Sequence, residues 1–418
     1  MPKLSLNASK KTKHTPAGEI PVDWAWAKIS DLGLVQTGRQ KSPSFSKGTL
    51  RPYLRVANVL EGRIDLNDVK WMKFTDDEYE QFELKTGDIL LNEGQSLELV
   101  GRAAQYNGEP ESCCFQNTLI RFRAGTSISS AFALNLFHFY LYTGRFASIA
   151  SQTTSIAHLG TSRFAALPAP LPPRPEQRRI AEVLGTWDRA IETLESLIAA
   201  KERRKQALMQ QLLTGRKRLP GFKGKLMQAK LSELLVPHLR PTPKPSAAFL
   251  SAGIRSHGRG VFLKQDFEPA DIMLDELFEI QTGDLIVNIT FAWEGAIAIV
   301  PLEANGALVS HRFPTFRFNQ DLTCAEFFRH VIRTHDFVFA CGLASPGGAG
   351  RNRVLSKKSF LKITIPCPSL EEQQAVAAVL DTADRELTLH RQHLATLRTQ
   401  KRGLMGQLLT GRVRVKTA

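Results

Sequence analysis

Four stretches gather cations and side-chain amides, the groups that donate hydrogen bonds to phosphate oxygens and to base edges. In the amino-terminal half they are residues 37–47 (TGRQKSPSFSK) and 151–163 (SQTTSIAHLGTSR). These offer Arg39, Gln40, Lys41, Lys47, Gln152, Thr153, Thr154, His158 and Arg163. In the carboxyl-terminal half they are residues 255–259 (RSHGR) and 350–358 (GRNRVLSKK), which offer Arg255, His257, Arg259, Arg351, Asn352, Arg353, Lys357 and Lys358. The chemistry of such a set is recognition of a polyanion, with most contacts going to phosphate and a few to bases. Asn92 with Glu93, and Asn288, follow strand-like runs and stand as further candidates, although asparagine at a strand end also shapes turns. The net charge of +15 over 418 residues points to the same class of partner, nucleic acid.

Catalytic patterns are missing where they would be expected. There is no N-P-P-[YFW] or D-P-P-Y sequence to hold the amine of a flipped base, and no Walker lysine motif. The run from Gly347 to Gly350 lacks the strand-then-helix setting of a dinucleotide fingerprint and reads as a loop. Asp76, Asp77 and Glu78 read as a solvated turn or helix start rather than a metal site. The five cysteines (Cys113, Cys114, Cys324, Cys341, Cys367) form no C-x-x-C pair and read as thiols of a reducing compartment. The first residues are polar and basic rather than a secretory signal, and no apolar run reaches bilayer length, so a cytoplasmic location is expected. No metal and no cofactor is expected in this chain.

The elements that must carry these stretches are organised by an internal repeat. Residues 176–218 and 372–414 align without a gap at an offset of 196, with 19 of 43 positions identical. In the first copy Ile180, Leu184, Trp187, Ile191, Leu194, Ile198, Leu208 and Leu212 recur at spacings of three and four; Val376, Leu380, Ala383, Leu387, Leu394, Leu397, Leu404 and Leu408 keep the same phase in the second. That is the seam of a two-helix coiled coil. Lys205, Lys401 and His390 interrupt it, at a cost in stability that fixes register. Ser369 with Glu372 reads as a capping box, Pro175 suits a first helical turn, and Gly215 and Gly411 suit helix ends. About 38 residues at 1.5 Å each give a rod of about 57 Å. Acids come early and bases late in both copies, so the helices complement each other head to tail, and an antiparallel pair within one chain is inferred.

The intervening regions read as globules. Strands are expected near residues 53–59, 88–91 and 118–123 and a buried helix over 130–150; in the second region strands are expected at 284–290 and 296–300 and a helix over 324–339. A faint repeat persists at the offset of 196: Asn92 with Asn288, Arg121 with Arg317, Phe164 with Phe360. The fold class is α+β, two mixed α/β globules separated by two long helices with a pseudo-twofold repeat. The boundaries are a disordered basic tail over 1–18, a globule over 19–170, a helical segment over 171–218, a globule over 219–366 and a helical segment over 367–418. The helices stay alike while the globules diverge, so one scaffold is expected to carry two different surfaces.

The phrase PPRPEQRRIAEVLGTWD, repeated more weakly as CPSLEEQQAVAAVLDTAD, with long helices ending in LLTG, resembles the spacer helices of type I restriction–modification specificity subunits. SRFAALPAPLPP and KKSFLKITIPCP are similar to the exit strands of that family's target recognition domains. The second copy departs by Cys367-Pro368 for Pro-Pro and by Ala378 at a usually acidic position. The resemblance implies two target recognition domains, each reading half of a split double-stranded DNA site, and helices that set the spacing. It implies two modification subunits that methylate adenine with S-adenosylmethionine, two restriction subunits in some complexes, and no catalytic centre in this chain. A specificity subunit of a related type II system and a coiled-coil scaffold with two protein-binding heads are the alternatives.

Overall fold

Neither apolar stripe can be buried by a lone helix, and the arrangement follows from that. In the computed structural model, which describes residues 7–8, 11–40, 47–152, 155–223, 226–348 and 353–416, both repeated stretches are single helices, Arg174–Leu212 and Leu370–Leu408. The chain divides into two compact units, Met1–Glu195 with Gln392–Ala418, and Ser196–Arg391. Each long helix is shared between them. It gives its first half to one unit and its last half to the other, because its two ends are buried in different cores.

In the first unit the core joins Ile180, Val183 and Leu184 from the start of one long helix to Met405, Leu408 and Leu409 from the end of the other. The same core takes in an antiparallel sheet of Ala103–Gln105, Ile89–Asn92, Leu119–Ala124 and Gly33–Thr37, in that order. Ile89 and Leu91 face this core while Leu90 faces a second one with Leu54, Tyr106 and Phe115. Both faces of the sheet are covered, so the run is apolar without alternation. The helix expected over 130–150 breaks at Gly144, which is left-handed, into Ser130–Tyr142 and Arg145–Ile149. The break lets Phe137 and Phe146 pack together with Phe164. Part of the tail expected to be disordered is ordered: Thr12–Thr15 and Gly18–Pro21 form a hairpin that buries Ile20 beside Trp24.

The second unit repeats the plan. Its sheet of Leu235–Pro237, Thr315–Phe318, Leu285–Val287 and Ile297–Ile299 packs on Leu212, Leu213, Val376, Ala377 and Leu380 from the long helices. A five-stranded sheet that includes Phe249–Ile254 and Val261–Phe267 is added on its other side. The helix expected over 324–339 is two helices, Ala325–Val331 and His335–Leu343. The expected exit strands are Pro168–Leu171, paired with Ala25–Lys28, and Thr364–Cys367, paired with Met227–Lys230.

The helices run antiparallel in each unit, and the polar breaks in the seam are what fix the register. Lys401 pairs with Asp188 in the first unit, and Lys205 pairs with Asp384 in the second. These are the same two positions exchanged between the copies. Each helix then meets its globule through the Glu-Gln pair at its start. Gln177 donates to the carbonyls of Ser127 and Pro172, both at 2.9 Å, and accepts from the Ser129 amide. Gln373 does the same for Leu322, Pro368 and Cys324, adding the Thr323 hydroxyl. Glu176 is buried and receives Arg414 at 2.6 and 2.7 Å together with the Trp24 indole. Glu372 receives Arg218 in the equivalent way. The capping box expected at Ser369 is therefore half made: Ser369 accepts from the Glu372 amide, but the carboxylate is turned to Arg218. Gly215 and Gly411, both left-handed, close the helices; a Cβ at Gly411 would also strike Pro21.

Arg414→Ala leaves Glu176 buried without its cation, and the unfolding free energy should fall by about 2 kcal/mol or more in denaturant titrations. Two histidines give a pH dependence. Burial holds His138, whose Nε2 lies 3.0 Å from the Ala103 carbonyl, below its ordinary value; burial likewise lowers His330, against the pull of Asp381 at 2.7 Å. The unfolded chain therefore takes up protons below pH about 6.5 that the folded chain refuses, and stability must drop as pH falls through that range. The melting temperature should decline between pH about 7 and about 5.5, and His138→Gln should make that decline shallower.

Candidate nucleic-acid interface

In each unit the segment after the central strand meets the segment before a short helix. The Leu159 amide donates to the Glu93 carbonyl at 2.8 Å, and the Leu355 amide donates to the Ile289 carbonyl at 2.8 Å, both positions offset by 196. This backbone bond recurs in both units, while the chain around it differs: Gly94–Gln95 is a strand, and the equivalent 290–291 leads into a 3-10 turn at Ala292–Glu294.

In the first unit Gly94–Gln95 pairs with Ala157–His158, which pairs with Ser151–Gln152. This small sheet sets Gln95, half-buried, and Gln152, exposed, on either side of Ala157, and exposed His158 on the other face of the ladder. The His158 Nδ1 lies 3.0 Å from a Glu93 carboxylate oxygen. Arg163 is exposed but committed to the frame: it donates to the Leu159 and His158 carbonyls and to the Ser151 hydroxyl. A Thr37–Thr161 hydroxyl bond ties the end of strand Gly33–Thr37 to the same region. Gln40 and Lys47 are exposed. Arg39 departs from the expectation for its stretch. It is 6% exposed, donates to Glu78 and to the Lys73 carbonyl, and lies over the Phe74 ring. Its cation serves the fold, and its backbone forms a parallel bridge with Gln116. Lys41, Thr153 and Thr154 lie outside the described residues.

In the second unit residues 255–259 turn between Phe249–Ile254 and Val261–Phe267. The His257 amide donates to the Glu294 carbonyl at 2.7 Å and the Ser256 hydroxyl to the Glu294 carboxylate at 2.8 Å. His257 has φ 62, a left-handed turn that holds the loop against residues 294–295. Arg255, His257 and Arg259 are exposed, as are Lys357 and Lys358. Arg353 stacks on Trp293, 5.6 Å from its ring centre. Arg351 and Asn352 lie outside the described residues.

Sequence reasoning passed over Gln95, Thr290, Trp293 and Arg312. Arg312 is exposed and reaches the Thr290 hydroxyl at 3.3 Å; Trp293 donates to the Thr290 carbonyl. The offset of 196 was the available signal, because it aligns residues 94–95 with 290–291. Asn92 and Asn288 do not reach outward. Asn92 is fully buried and donates to the Val59 carbonyl, and Asn288 accepts from the Thr290 amide. Asn288 shapes the turn that carries Thr290, while Asn92, at the end of its strand, ties the sheet to Val59.

Nothing in the described residues gathers three or more His, Cys, Asp or Glu side chains to hold a metal. Burial pushes the Cys114 and Cys341 thiols up to about 12, which leaves essentially no thiolate near neutral pH. No described helix is long and apolar enough to cross a membrane. What the surfaces offer is hydrogen bonding by cations, amides and one aromatic face.

The family model of the type I restriction modification DNA specificity domain matches residues 21–202 and 276–399. A putative type I restriction enzyme MjaX specificity subunit of Methanocaldococcus jannaschii is 24% identical over 439 residues, covering 99% of each chain. Among solved structures, a chain from a study of complex assembly and conformational transition of the type I R-M system matches with a TM-score of 0.58 and 16% identity, over 94% of this chain and 99% of that one. The type I restriction-modification S subunit from M. genitalium matches with a TM-score of 0.52 and 15% identity, over 96% and 99%. Those two are likenesses of fold.

Arg163→Ala removes three donated hydrogen bonds from the exposed sheet of the first unit. It should cost about 1–2 kcal/mol in stability and speed amide exchange across residues 155–159 more than elsewhere.

Proposed function

The chain belongs to the type I restriction modification DNA specificity family and is a specificity subunit, and on that premise we propose how it divides the work. Each unit reads one half of a bipartite double-stranded DNA site, and the long helices set the spacing and dock two modification subunits. Those partners bind S-adenosylmethionine and methylate adenine; two restriction subunits join in a complete complex. The chain itself contributes recognition and geometry rather than bond chemistry, in the cytoplasm.

The observation that carries this reading is one recurring sheet, exit strand and Leu–carbonyl bond, flanked in the two units by unlike exposed loops. In the first unit Gln40, Lys47, Gln95, Gln152 and His158 are the contact candidates, with the strand of His158 held by Arg163; in the second they are Arg255, His257, Arg259, Arg312, Arg353, Lys357 and Lys358, with Trp293 against Arg353. Lys41, Thr153, Thr154, Arg351 and Asn352 stay in the set on their chemistry and position in sequence. Arg39 leaves it. Two unlike surfaces on related frames suit an asymmetric split site, in which each half is read independently. The second unit is richer in cations, so phosphate contacts weigh more there, while the amides of the first favour base edges.

The test is base-resolution adenine-methylation mapping of host DNA with and without this gene. Loss of one bipartite motif on deletion supports the reading; an unchanged methylome in cells that express the modification partner counts against it. In the assembled complex, Lys357→Ala with Lys358→Ala should weaken binding of all sites alike and make the salt dependence shallower, by about 1 in slope for every phosphate no longer neutralised. Replacing residues 290–293 should alter one half of the motif and leave the other half and the spacing unchanged.

A further inference from the structure

The repeat poses a question of partner choice. A helix from one copy of the repeat could pair with the same helix of a second chain, since much of what buries the helices is common to both. The closing residues Leu208, Met209, Leu212, Leu213 and Gly215 recur as Leu404, Met405, Leu408, Leu409 and Gly411. Asp188 and Lys205 recur as Asp384 and Lys401, so the two Asp–Lys pairs form equally well between like and unlike helices. Glu176 with Arg218 and Glu372 with Arg414 are likewise interchangeable. The register pairs and the buried glutamate–arginine pairs do not tell one helix from the other, although the end of the second helix also meets Asp23 and Tyr142.

Two other pairs do. In the first unit Glu195 pairs with Arg398 at 2.5 Å, and in the second Glu202 pairs with Arg391 at 2.5 Å. Shifted by 196, Glu195 corresponds to Arg391 and Glu202 to Arg398, so the sign of charge is reversed at both positions between the copies. In the same antiparallel register, two first helices would set Glu195 against Glu202, and two second helices would set Arg391 against Arg398. Each like pairing therefore forgoes both attractions and acquires two repulsions. Lys201 with Glu386, at 2.8 Å, adds to the preference: in like pairs Lys201 would meet Ala190, and Glu386 would meet Leu397.

We propose that Glu195, Glu202, Arg391 and Arg398 form a charge code that makes each long helix select the unlike helix and reject a second copy of itself. The code acts on assembly and is independent of which DNA the chain reads. All four side chains are about half exposed, so each ion pair is weak alone and salt-sensitive. The selectivity comes from changing all of them together, which is how exposed charges specify coiled-coil partners.

The test uses the full chain with a protease site placed at Gly221, folded intact and then cut, so that the halves can exchange. Native mass spectrometry after a cycle of unfolding and refolding reads which halves associate. Wild-type halves should recover unlike pairs over like pairs by about tenfold or more. The variant Glu202→Arg with Arg398→Glu keeps the net charge but makes both unlike pairings repulsive and all like pairings attractive, and it should invert the preference. Statistical scrambling of the wild-type halves, or the same pairing in wild type and variant, overturns the proposal. If the cut halves aggregate, the uncut chain decides. Glu202→Arg should lower the melting temperature and adding Arg391→Glu should restore it; no decrease, or no restoration, overturns it. High salt should weaken the selection in the cut chain.

Discussion

Everything in this structure depends on where the buried glutamates at the helix starts find their cations. Glu176 and Glu372 have almost no access to water, and a carboxylate in that position must be paired. The partner in each case arrives from just beyond the end of the other long helix, Arg414 for one and Arg218 for the other. The neighbouring glutamines, fully buried, spend their amides on the loops that lead into each globule's own helix. One dipeptide thus fastens three things at once: the start of its helix, the segment just past the end of the other helix and the globule of its own unit.

With the joint held constant, the rest of each unit was free to change. The sheet after residues 89 and 285, the Leu–carbonyl bond at 159 and 355, and the exit strands at 168 and 364 keep their places. The exposed fittings do not: a three-stranded patch with glutamine and histidine in one unit, a stacked Arg353–Trp293 pair among lysines and arginines in the other. Separation of frame from fittings allows recognition to be altered without disturbing the helices.

The long helices were legible because their apolar period extends over many turns and occurs twice. Lys205 and Lys401 could be recognised as seam breaks, and their pairing with Asp384 and Asp188 matches the head-to-tail charge pattern. The meaning of Glu-Gln was not legible, because its partners lie far off in sequence and no local pattern marks Arg218 or Arg414. Arg39 failed as a surface residue for a similar reason: Glu78 and Phe74 reach it from a strand and helix that sequence spacing does not connect to it. Asn92 and Asn288 stand at strand ends, where their residue type suits turns; Asn288 takes that role, and Asn92 is buried and reaches Val59 instead. Trp293 was missed because a lone aromatic beside apolar residues looks like core until a cation stacks on it.

Division of each helix between two units also has a consequence for synthesis. The second unit is one continuous segment, so every residue of its core is available once the ribosome has passed Arg391. The first unit is discontinuous, and its core lacks Met405, Leu408 and Leu409 until the very last turns of helix emerge. Its earliest strand residues wait for the latest, as the bridge between Ala8 and Val413 illustrates. The half made first on the ribosome is therefore the half completed last, and during that interval its unfinished apolar face is what chaperones would meet.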